Sequence, residues 1–579
     1  MSISDTHQRP TAPHPEHAPA RPPRPSSKPN GQWKIDGTAP LNGNEEWKQV
    51  DGGLAVRERI ETVYARDGFA SIDPTDLHGR FRWWGLYTQR KPGIDGGRTA
   101  TLTPEELEDS YFMLRIRIDG GQLTTEQLRV IAGISTEFGR DTADLTDRQN
   151  IQLHWIEVEA MPEIWRRLEG VGLGTTEACG DVPRVILGSP VAGIAADELI
   201  DPTPQIDEIT SKFIGDESLA NLPRKFKSAI TGHPSQDVVH EINDVAFVAV
   251  EHPELGIGYD LWVGGGLSTA PRLAERLGVF VAPERVADAW HGVAQIFRDY
   301  GYRRLRNKAR LKFLLAEWGT EKFRQVLQDE YLGYVLPDGP AAPKPRTAGD
   351  HVGVHRQKDG RFYVGVTPIV GRVSGPTLAK LADLIEAHGS TRLRTTPHQK
   401  LVILDVPEDR VESLIAGLDD LGLSARPSLI RRGTIACTGL EFCKLAIVET
   451  KAYATAAVLD LEQRLDRFEL PHPISLHVNG CPNSCARIQT ADIGLKGQLV
   501  MDDSGEQVPG YQVHLGGGLA SQDRDEAGLG RTVRGLKVTA DGIADYVERV
   551  VARFLADRDG AADETFAEWA HRAEEEALQ

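Results

Sequence analysis

The chain has 579 residues, a formal net charge of −18 and an ordinary globular composition, 40% hydrophobic and 26% charged. That length exceeds a single core and predicts three or four domains, while the acidic balance argues against non-specific nucleic-acid binding and against an anionic membrane surface. No apolar run reaches transmembrane length, the N-terminus lacks the apolar stretch of a secretory signal, and five cysteines, four of them clustered, argue against a disulfide framework. The expectation is a cytoplasmic protein, with no nucleic-acid or membrane partner, whose cysteines serve a metal.

Residues 1–31, rich in Pro, His, Ser and Arg, cannot bury enough apolar area to offset chain entropy and read as a disordered tail. Residues 32–80 read as an N-terminal arm with one helix around G-G-L-A-V-R-E-R-I-E-T-V-Y-A-R-D-G. Regular patterning begins near residue 81, and with it an internal duplication. Y-F-M-L-R-I-R-I-D-G-G-Q-L-T (from Tyr111) matches R-F-Y-V-G-V-T-P-I-V-G-R-V-S (from Arg361) as strand, glycine turn and helix start. T-D-R-Q-N-I-Q-L-H (from Thr146) matches T-P-H-Q-K-L-V-I-L (from Thr396) as a turn and a buried strand. Each copy therefore opens with a half-domain of ferredoxin-like character, 81–175 and 351–425.

The match continues in the same order. T-G-H-P-S-Q (from Thr231) aligns with N-G-C-P-N-S-C (from Asn479), D-V-A-F (from Asp244) with D-I-G-L (from Asp492), and G-Y-D-L-W-V-G-G-G-L-S-T with G-Y-Q-V-H-L-G-G-G-L-A-S. These mark second domains at 176–335 and 426–579, joined through the Pro-rich linker 336–350. The fold class is α+β (mixed α/β) with a pseudo-two-fold, duplicated architecture. D-Y-G-Y-R-R-L-R-N-K-A-R-L-K-F-L-L-A-E-W-G (from Asp299) reads as a strongly basic helix, and the chain from Asp541 as a helix with an acidic, frayed end.

Four cysteines stand in two clusters of the second copy, C-T-G-L-E-F-C (Cys437, Cys443) and N-G-C-P-N-S-C (Cys481, Cys485). In the first copy His233 and Asp237 take the places of Cys481 and Cys485. Pro482 suits a first helical turn, so Cys481 and Cys485 are expected at a helix N-terminus, where amide hydrogens favour negative charge. Cys437 and Cys443 fit a loop that turns at Gly439. Four soft thiolates bind an iron–sulfur cluster or zinc; structural zinc prefers shorter C-x2-C pairs, so the spacing favours iron–sulfur.

With these motifs on a duplicated chain, residues 50–560 resemble the assimilatory sulfite and nitrite reductases. The resemblance implies a [4Fe–4S] cluster on Cys437, Cys443, Cys481 and Cys485, and a sirohaem whose iron takes Cys485 as a shared axial ligand. It makes 176–335 the sirohaem and substrate domain and 426–579 the cluster and sirohaem domain. It also implies that Arg115, Arg184, Lys225 and Lys227 line the substrate side, with Arg148, Arg310, Lys312, Asn479 and Asn483 as further candidates for sirohaem contacts. Strand alternation supports part of this, since Arg115 and Arg117 share a face of an otherwise apolar strand, where a cation is costly unless it meets an anion. Sirohaem carboxylates and an oxyanion substrate both call for such cations.

The implied reaction is the six-electron reduction of sulfite to sulfide, or of nitrite to ammonia. K-F-K at 225–227 resembles the sulfite reductases, nitrite reductases tending to carry Asn at the third position, and the second lysine suits dianionic sulfite. Some relatives join a tyrosine to a cysteine by a thioether, which makes Tyr87 and Cys179 a candidate crosslink. No flavin or nicotinamide module is evident, G-G-G-L being a repeat turn, so the donor is external. A single chain of this type resembles the ferredoxin-dependent enzymes, with the 303–312 cations one docking candidate; a flavoprotein donor is the alternative. A monomer is expected. Two rival readings are a cobalamin-pathway monooxygenase on the same frame and a non-catalytic zinc-stabilised protein.

Overall fold

The computed structural model describes residues 28–560 and 563–579. Of the tail expected at 1–31, residues 1–27 lie outside the described residues. Asn30 already joins the fold, its carbonyl accepting from the backbone N–H groups of Arg303 and Arg304.

Duplication in sequence becomes duplication in space, with four five-stranded sheets in two matching pairs. One pair is antiparallel. Its first sheet runs Leu86–Arg90, Glu108–Ile116, Ile151–Ile156, Thr142–Leu145 and then Arg372–Ser374. The second runs Gly353–Arg356, Phe362–Val366, Leu401–Val406, Arg392–Thr395 and then Gln122–Thr124. The last strand of each sheet comes from the other copy, Val373 facing Ala143 and Leu123 facing Leu393. Alternating apolar residues on these strands meet helices Thr125–Phe138 and Gly375–Ala387 in one shared core, which includes Leu114, Ile151, Leu378 and Ile403. Neither ferredoxin-like half can therefore close its sheet alone.

The other pair is mixed. Pro183–Gly188, Phe226–Thr231 and Val245–His252 run parallel, and Gly256–Val263 and Glu275–Val281 return antiparallel. Thr434–Ala436, Leu476–Asn479 and Ile493–Met501 repeat the parallel part, Gln507–Leu515 and Arg531–Thr539 the return. Each has its own apolar core. The repeat reaches single bonds. Asp244 Oδ2 accepts from the Lys227 N–H and Asp492 Oδ2 from the Ser475 N–H, both at 2.9 Å. In the G-G-G turns, a Cβ on Gly265 would lie 2.5 Å from the Glu241 carbonyl oxygen, and on Gly517 2.3 Å from that of Gln489, so both positions require glycine.

Three local expectations are corrected. The arm holds several helices rather than one: Trp33–Asp36, Gly43–Val50, Val56–Arg59 continued through a wider turn at Ile60–Tyr64, and Pro74–His78. The basic helix is broken. Helix Val286–Tyr300 stops at Gly301, which is extended, and the next begins at Leu311. Between them each cation reaches a different partner: Arg303 meets Glu45 at 2.8 Å, Arg306 meets Asp181 at 2.7 Å and Arg310 meets Asp244 at 2.9 Å, which one straight helix could not arrange. The acidic end is docked rather than frayed, since Trp569 and Leu578 are wholly buried and Tyr546 Oη donates to the Leu578 carbonyl at 3.0 Å.

Candidate active site

The two copies contribute opposite ends of their mixed sheets. Cys437 follows Ala436, the last residue of its strand, and Cys481 stands two residues beyond Asn479, the end of the neighbouring parallel strand. The first copy offers the start of its strands, with Arg184 second in Pro183–Gly188 and Lys225 and Lys227 flanking Phe226.

The cysteine loops are held by backbone and amide bonds. Cys437 N–H donates to the Val478 carbonyl at 3.0 Å, and Gly480 N–H points at Cys437 Sγ, 3.3 Å away. Gly439, at φ +74°, turns the first loop; a Cβ there would lie 2.5 Å from Thr450 Oγ1. The second loop is not the helix that Pro482 suggested. Asn479 folds it into turns, its Nδ2 donating to the Cys481 carbonyl at 2.6 Å and its Oδ1 accepting from Ala486 N–H at 2.9 Å. Ser484 and Arg487 take the left-handed conformation, which no helix allows. Buried Asn479 thus shapes the cysteine loop, and Asn483 is exposed on it.

Burial first, and then the neighbouring thiols, push Cys437 up and bring Cys481 to about 12. Such a group becomes four thiolates only when a metal supplies positive charge. Zinc at ~2.3 Å from each sulfur would set the thiolates ~3.8 Å apart. No three of these cysteines bring their sulfurs within 4.8 Å of one another. The spread suits a multi-iron cluster and not a single ion.

Around Cys485, which is exposed, the cations stand in an unusual state. Other buried cations are paired with carboxylates, as Lys48 is with Glu45 at 2.6 Å and Arg310 with Asp244, or donate to several carbonyls, as Arg90 and Lys312 do. Among the described residues, Lys225 and Lys227 have no side-chain hydrogen bond or ion pair. Arg184 reaches only the carbonyls of Gly180 and Ala178. Arg148 donates to Asn243 Oδ1 at 2.6 Å and to the Val185 carbonyl at 2.8 Å. Arg115 Nε points at Cys179 Sγ, 3.3 Å away. Arg117, its partner on the strand, is already matched with Asp119 at 2.7 Å. Burial, and then Arg148, bring Lys227 down to about 7; burial, and then Lys227, press Lys225 well below its usual range. The Lys225 ammonium also feels the Cys485 sulfur, so the two copies meet here.

Arg310 and Lys312 stand one layer back. Arg310 holds Asp244, which in turn takes the Lys227 N–H, and Lys312 Nζ donates to the carbonyls of Gly266, Leu267 and Ala270. With Arg303, Arg310 and Lys312 buried, the 303–312 stretch presents a smaller basic patch than a helix would.

Sequence reasoning missed Arg487, His398, Lys400 and His477. Arg487 is 3% exposed and its Nε has no hydrogen-bond partner. Burial, and then Arg487, lower both His398 and His477, the latter to about 3. The signal was present, since the repeat sets His398 at the place of Arg148 and Arg487 lies two residues past Cys485. Among the described residues one carboxylate, Asp147, acts on Arg115, Arg148, Lys227 and Arg487 without an ion pair to any of them, and Lys400 pairs with Asp350 at 3.4 Å. A single carboxylate among four cations leaves a donor set that a polycarboxylate cofactor and an oxyanion would complete.

Comparison with known proteins agrees with this geometry. The family model described as "Nitrite and sulphite reductase 4Fe-4S domain" matches residues 179–336 and 431–579. The "Nitrite/Sulfite reductase ferredoxin-like half domain" matches 105–171 and 355–421. A relative named "Sulfite reductase [ferredoxin]" from Mycobacterium tuberculosis is 57% identical over 95% of this chain and 98% of its own. An "Assimilatory ferredoxin-dependent nitrite reductase" from Haloferax mediterranei is 37% identical over 91% of this chain and 90% of its own. The solved structure of the Mycobacterium tuberculosis NirA protein superposes with a TM-score of 0.93, at 56% identity, over 95% of this chain and all of that one.

Proposed function

The chain belongs to the nitrite and sulfite reductase family, and we propose that it reduces sulfite to sulfide with six electrons from reduced ferredoxin. The carrying observation is the set of buried or half-buried cations, Arg115, Arg184, Lys225, Lys227 and Arg487, none of them in an ion pair among the described residues, with one carboxylate, Asp147, acting on Arg115, Lys227 and Arg487 and the Cys485 sulfur acting on Lys225. The family carries a [4Fe–4S] cluster and a sirohaem, and the residues fit both. Cys437, Cys443, Cys481 and Cys485 would hold the cluster, and Cys485 would also serve the sirohaem. Arg148, Arg487 and His398 would meet sirohaem carboxylates, with Asn479 shaping the loop beneath and Asn483, Arg310, Lys312 and the Asp350-paired Lys400 in support. When bound, these groups supply single electrons and an iron that takes the sulfur of sulfite.

The protein's own part is charge and protons. Arg115 and Arg184 hold the sulfite oxygens, and fixed cations at a developing charge need no reorganisation. Lys227, at about 7, is poised to give a proton to a departing oxygen at neutral pH, and Lys225 beside it can do the same. Asp244, fixed by Arg310, takes the Lys227 backbone N–H and fixes where that side chain starts. Lys227 also favours sulfite over nitrite, because the second ammonium suits a dianion. Nitrite reduction is the second reading, favoured by the common iron site. Steady-state kinetics with both anions, and with ferredoxin against an NADPH-linked flavoprotein, test the assignment; a higher kcat/KM for nitrite reverses the order of the two readings. An absorption spectrum without sirohaem bands would refute both, leaving the monooxygenase or a non-catalytic protein.

The proposed division is a substrate domain at 176–335, a cluster domain at 426–579 and two ferredoxin-like halves at 81–175 and 351–425, acting as a monomer. Among the described residues no helix is long and apolar enough to cross a membrane. A Tyr87–Cys179 thioether belongs to the same reading. Tyr87 lies opposite Met113 on the strand pair, which sets it diagonal to Arg115, whose Nε reaches Cys179. Forming the carbon–sulfur bond removes two hydrogens, their electrons passing to an oxidant such as dioxygen. Peptide mass spectrometry would show one joined peptide; two unmodified peptides would sink it.

A further inference from the structure

The first copy's loop, Thr231–Asn243, keeps the backbone of the cysteine loop while its side chains have changed. Gln236 and Val239 take the left-handed conformation at the places where Ser484 and Arg487 take it in the second copy. A valine at φ +50° is costly, so the loop shape is retained against local preference. At the two cysteine places stand His233 and Asp237, and a third residue, His351, arrives from the start of the second copy.

One ligand atom from each of His233, Asp237 and His351 lies within 4.8 Å of the others, and all three residues are buried. Among the described residues this is the single group of three or more such side chains so close. Their outer partners are in place. Ser189 Oγ and Thr231 Oγ1 each donate to the Asp237 carboxylate at 2.7 Å. His233 Nδ1 lies 2.7 Å from Ser235 Oγ, and His351 Nδ1 lies 3.5 Å from Tyr363 Oη. That leaves His351 Nε2 directed at Asp237 Oδ2, 2.7 Å away, and His233 Nε2 directed at Asp197 Oδ1, 3.1 Å away. The Asp197 side chain is 58% exposed and stands at the mouth, offering a path from solvent and a further oxygen.

We propose that His233, Asp237 and His351 form a second metal site, for one divalent cation of the zinc class, at the place in the first copy where the second copy gathers its thiolates. Two imidazoles and a carboxylate select a borderline divalent ion where thiolates select iron–sulfur. The spacing agrees, for three ligands around one ion stand close together and a cluster's thiolates do not. His351 Nδ1 turned to the Tyr363 hydroxyl and a carboxylate held by Ser189 and Thr231 are the outer support that metal ligands use, while His233 Nδ1 accepts from the Ser235 N–H at 3.2 Å and fixes that ring. On binding, the neutral His351 ring changes tautomer: its proton moves from Nε2, where it bridges to Asp237, to Nδ1 on the Tyr363 side, and the freed Nε2 lone pair takes the cation. Because His351 follows the linker, the ion would pin the second copy to the first.

The test uses the full-length protein as purified. Crystals soaked in zinc chloride are measured above and below the zinc absorption edge. The expected result is an anomalous peak about 2.0–2.2 Å from ligand atoms of His233, Asp237 and His351. Zinc should also raise the unfolding temperature of the wild type and leave His351→Gln unmoved, with equal iron content in both. No peak among these residues in the wild type, or zinc only elsewhere, overturns the proposal and leaves a hydrogen-bonded network in the cluster's place. Should His351→Gln fail to fold, the wild-type map decides alone.

Discussion

The loops Thr231–Asn243 and Asn479–Ala491 share a backbone and differ in what they hold. In the second, Cys481 and Cys485 are free thiols with no ion pair in their own loop, and the charge that Cys485 meets is the Lys225 ammonium of the other copy. In the first, Asp237 accepts from Ser189, Thr231 and His351, and the linker closes over it, Gln236 donating to the Pro343 carbonyl at 2.6 Å. A duplicated fold can thus keep one loop for reaction and turn its mate into a joint between copies. The first copy's unpaired cations stand at the other end of the same strands, at Arg184, Lys225 and Lys227.

Changes in the two loops should have opposite signatures. Cys485→Ser is the most damaging to turnover. Losing the shared thiolate should lower sulfite reduction by at least ~100-fold, a loss of about 2.7 kcal/mol or more in transition-state stabilisation. The visible spectrum should change while unfolding temperature falls little. Its mate Asp237→Ala should do the reverse. It strands three buried donors, costing roughly 3 kcal/mol, so Tm falls by several degrees while iron content per folded chain holds. If Asp237→Ala instead abolished turnover at unchanged Tm, the contrast between the loops would fail.

Lys227 sharpens the comparison from the substrate side. Lys227→Asn should lower kcat/KM for sulfite ~10–100-fold and that for nitrite less, about 1–3 kcal/mol of differential binding. The pH profile carries a sign. The Lys227 ammonium is lost as pH rises through about 7, so wild-type kcat/KM should fall above neutrality and the variant's should be flatter. For stability the sign is opposite. The folded value lies below the unfolded one, so the unfolded chain binds more protons between about 7 and 10.5, and this residue adds stability as pH rises through that window. Unfolding curves at pH 7 and 9 for wild type and Lys227→Met would check it. The smallest effect belongs to the helices between the copies. Arg129 bridges to Asp383 and Glu386 at the surface, and Arg129→Ala should leave Tm and turnover unchanged within error.

Much of this molecule was legible in the chain because repetition is itself a signal. Two copies in one order exposed the paired half-domains, the matched loops and the changed pair His233 and Asp237. Cysteine spacing pointed to a cluster before any geometry, and strand alternation picked out Arg115 and Arg117 together. What alternation could not do was separate Arg115 from Arg117, because Asp119, two residues on, takes one and leaves the other. Nor could spacing reveal that Pro482 opens a turn, since Asn479 decides that through bonds to Cys481 and Ala486. The basic stretch at 303–312 read as one helix until Glu45, Asp181 and Asp244, all distant in sequence, drew its cations apart. Arg487 and His351 met groups of the other copy only when the two copies were folded together. The sequence by itself determined the duplication, the fold class and the metal-binding residue types, which depend on local pattern and side-chain chemistry. Tertiary structure alone decided which charges are paired and which stay open, because pairing depends on distance in space, and the residues that set it lie up to hundreds of positions apart.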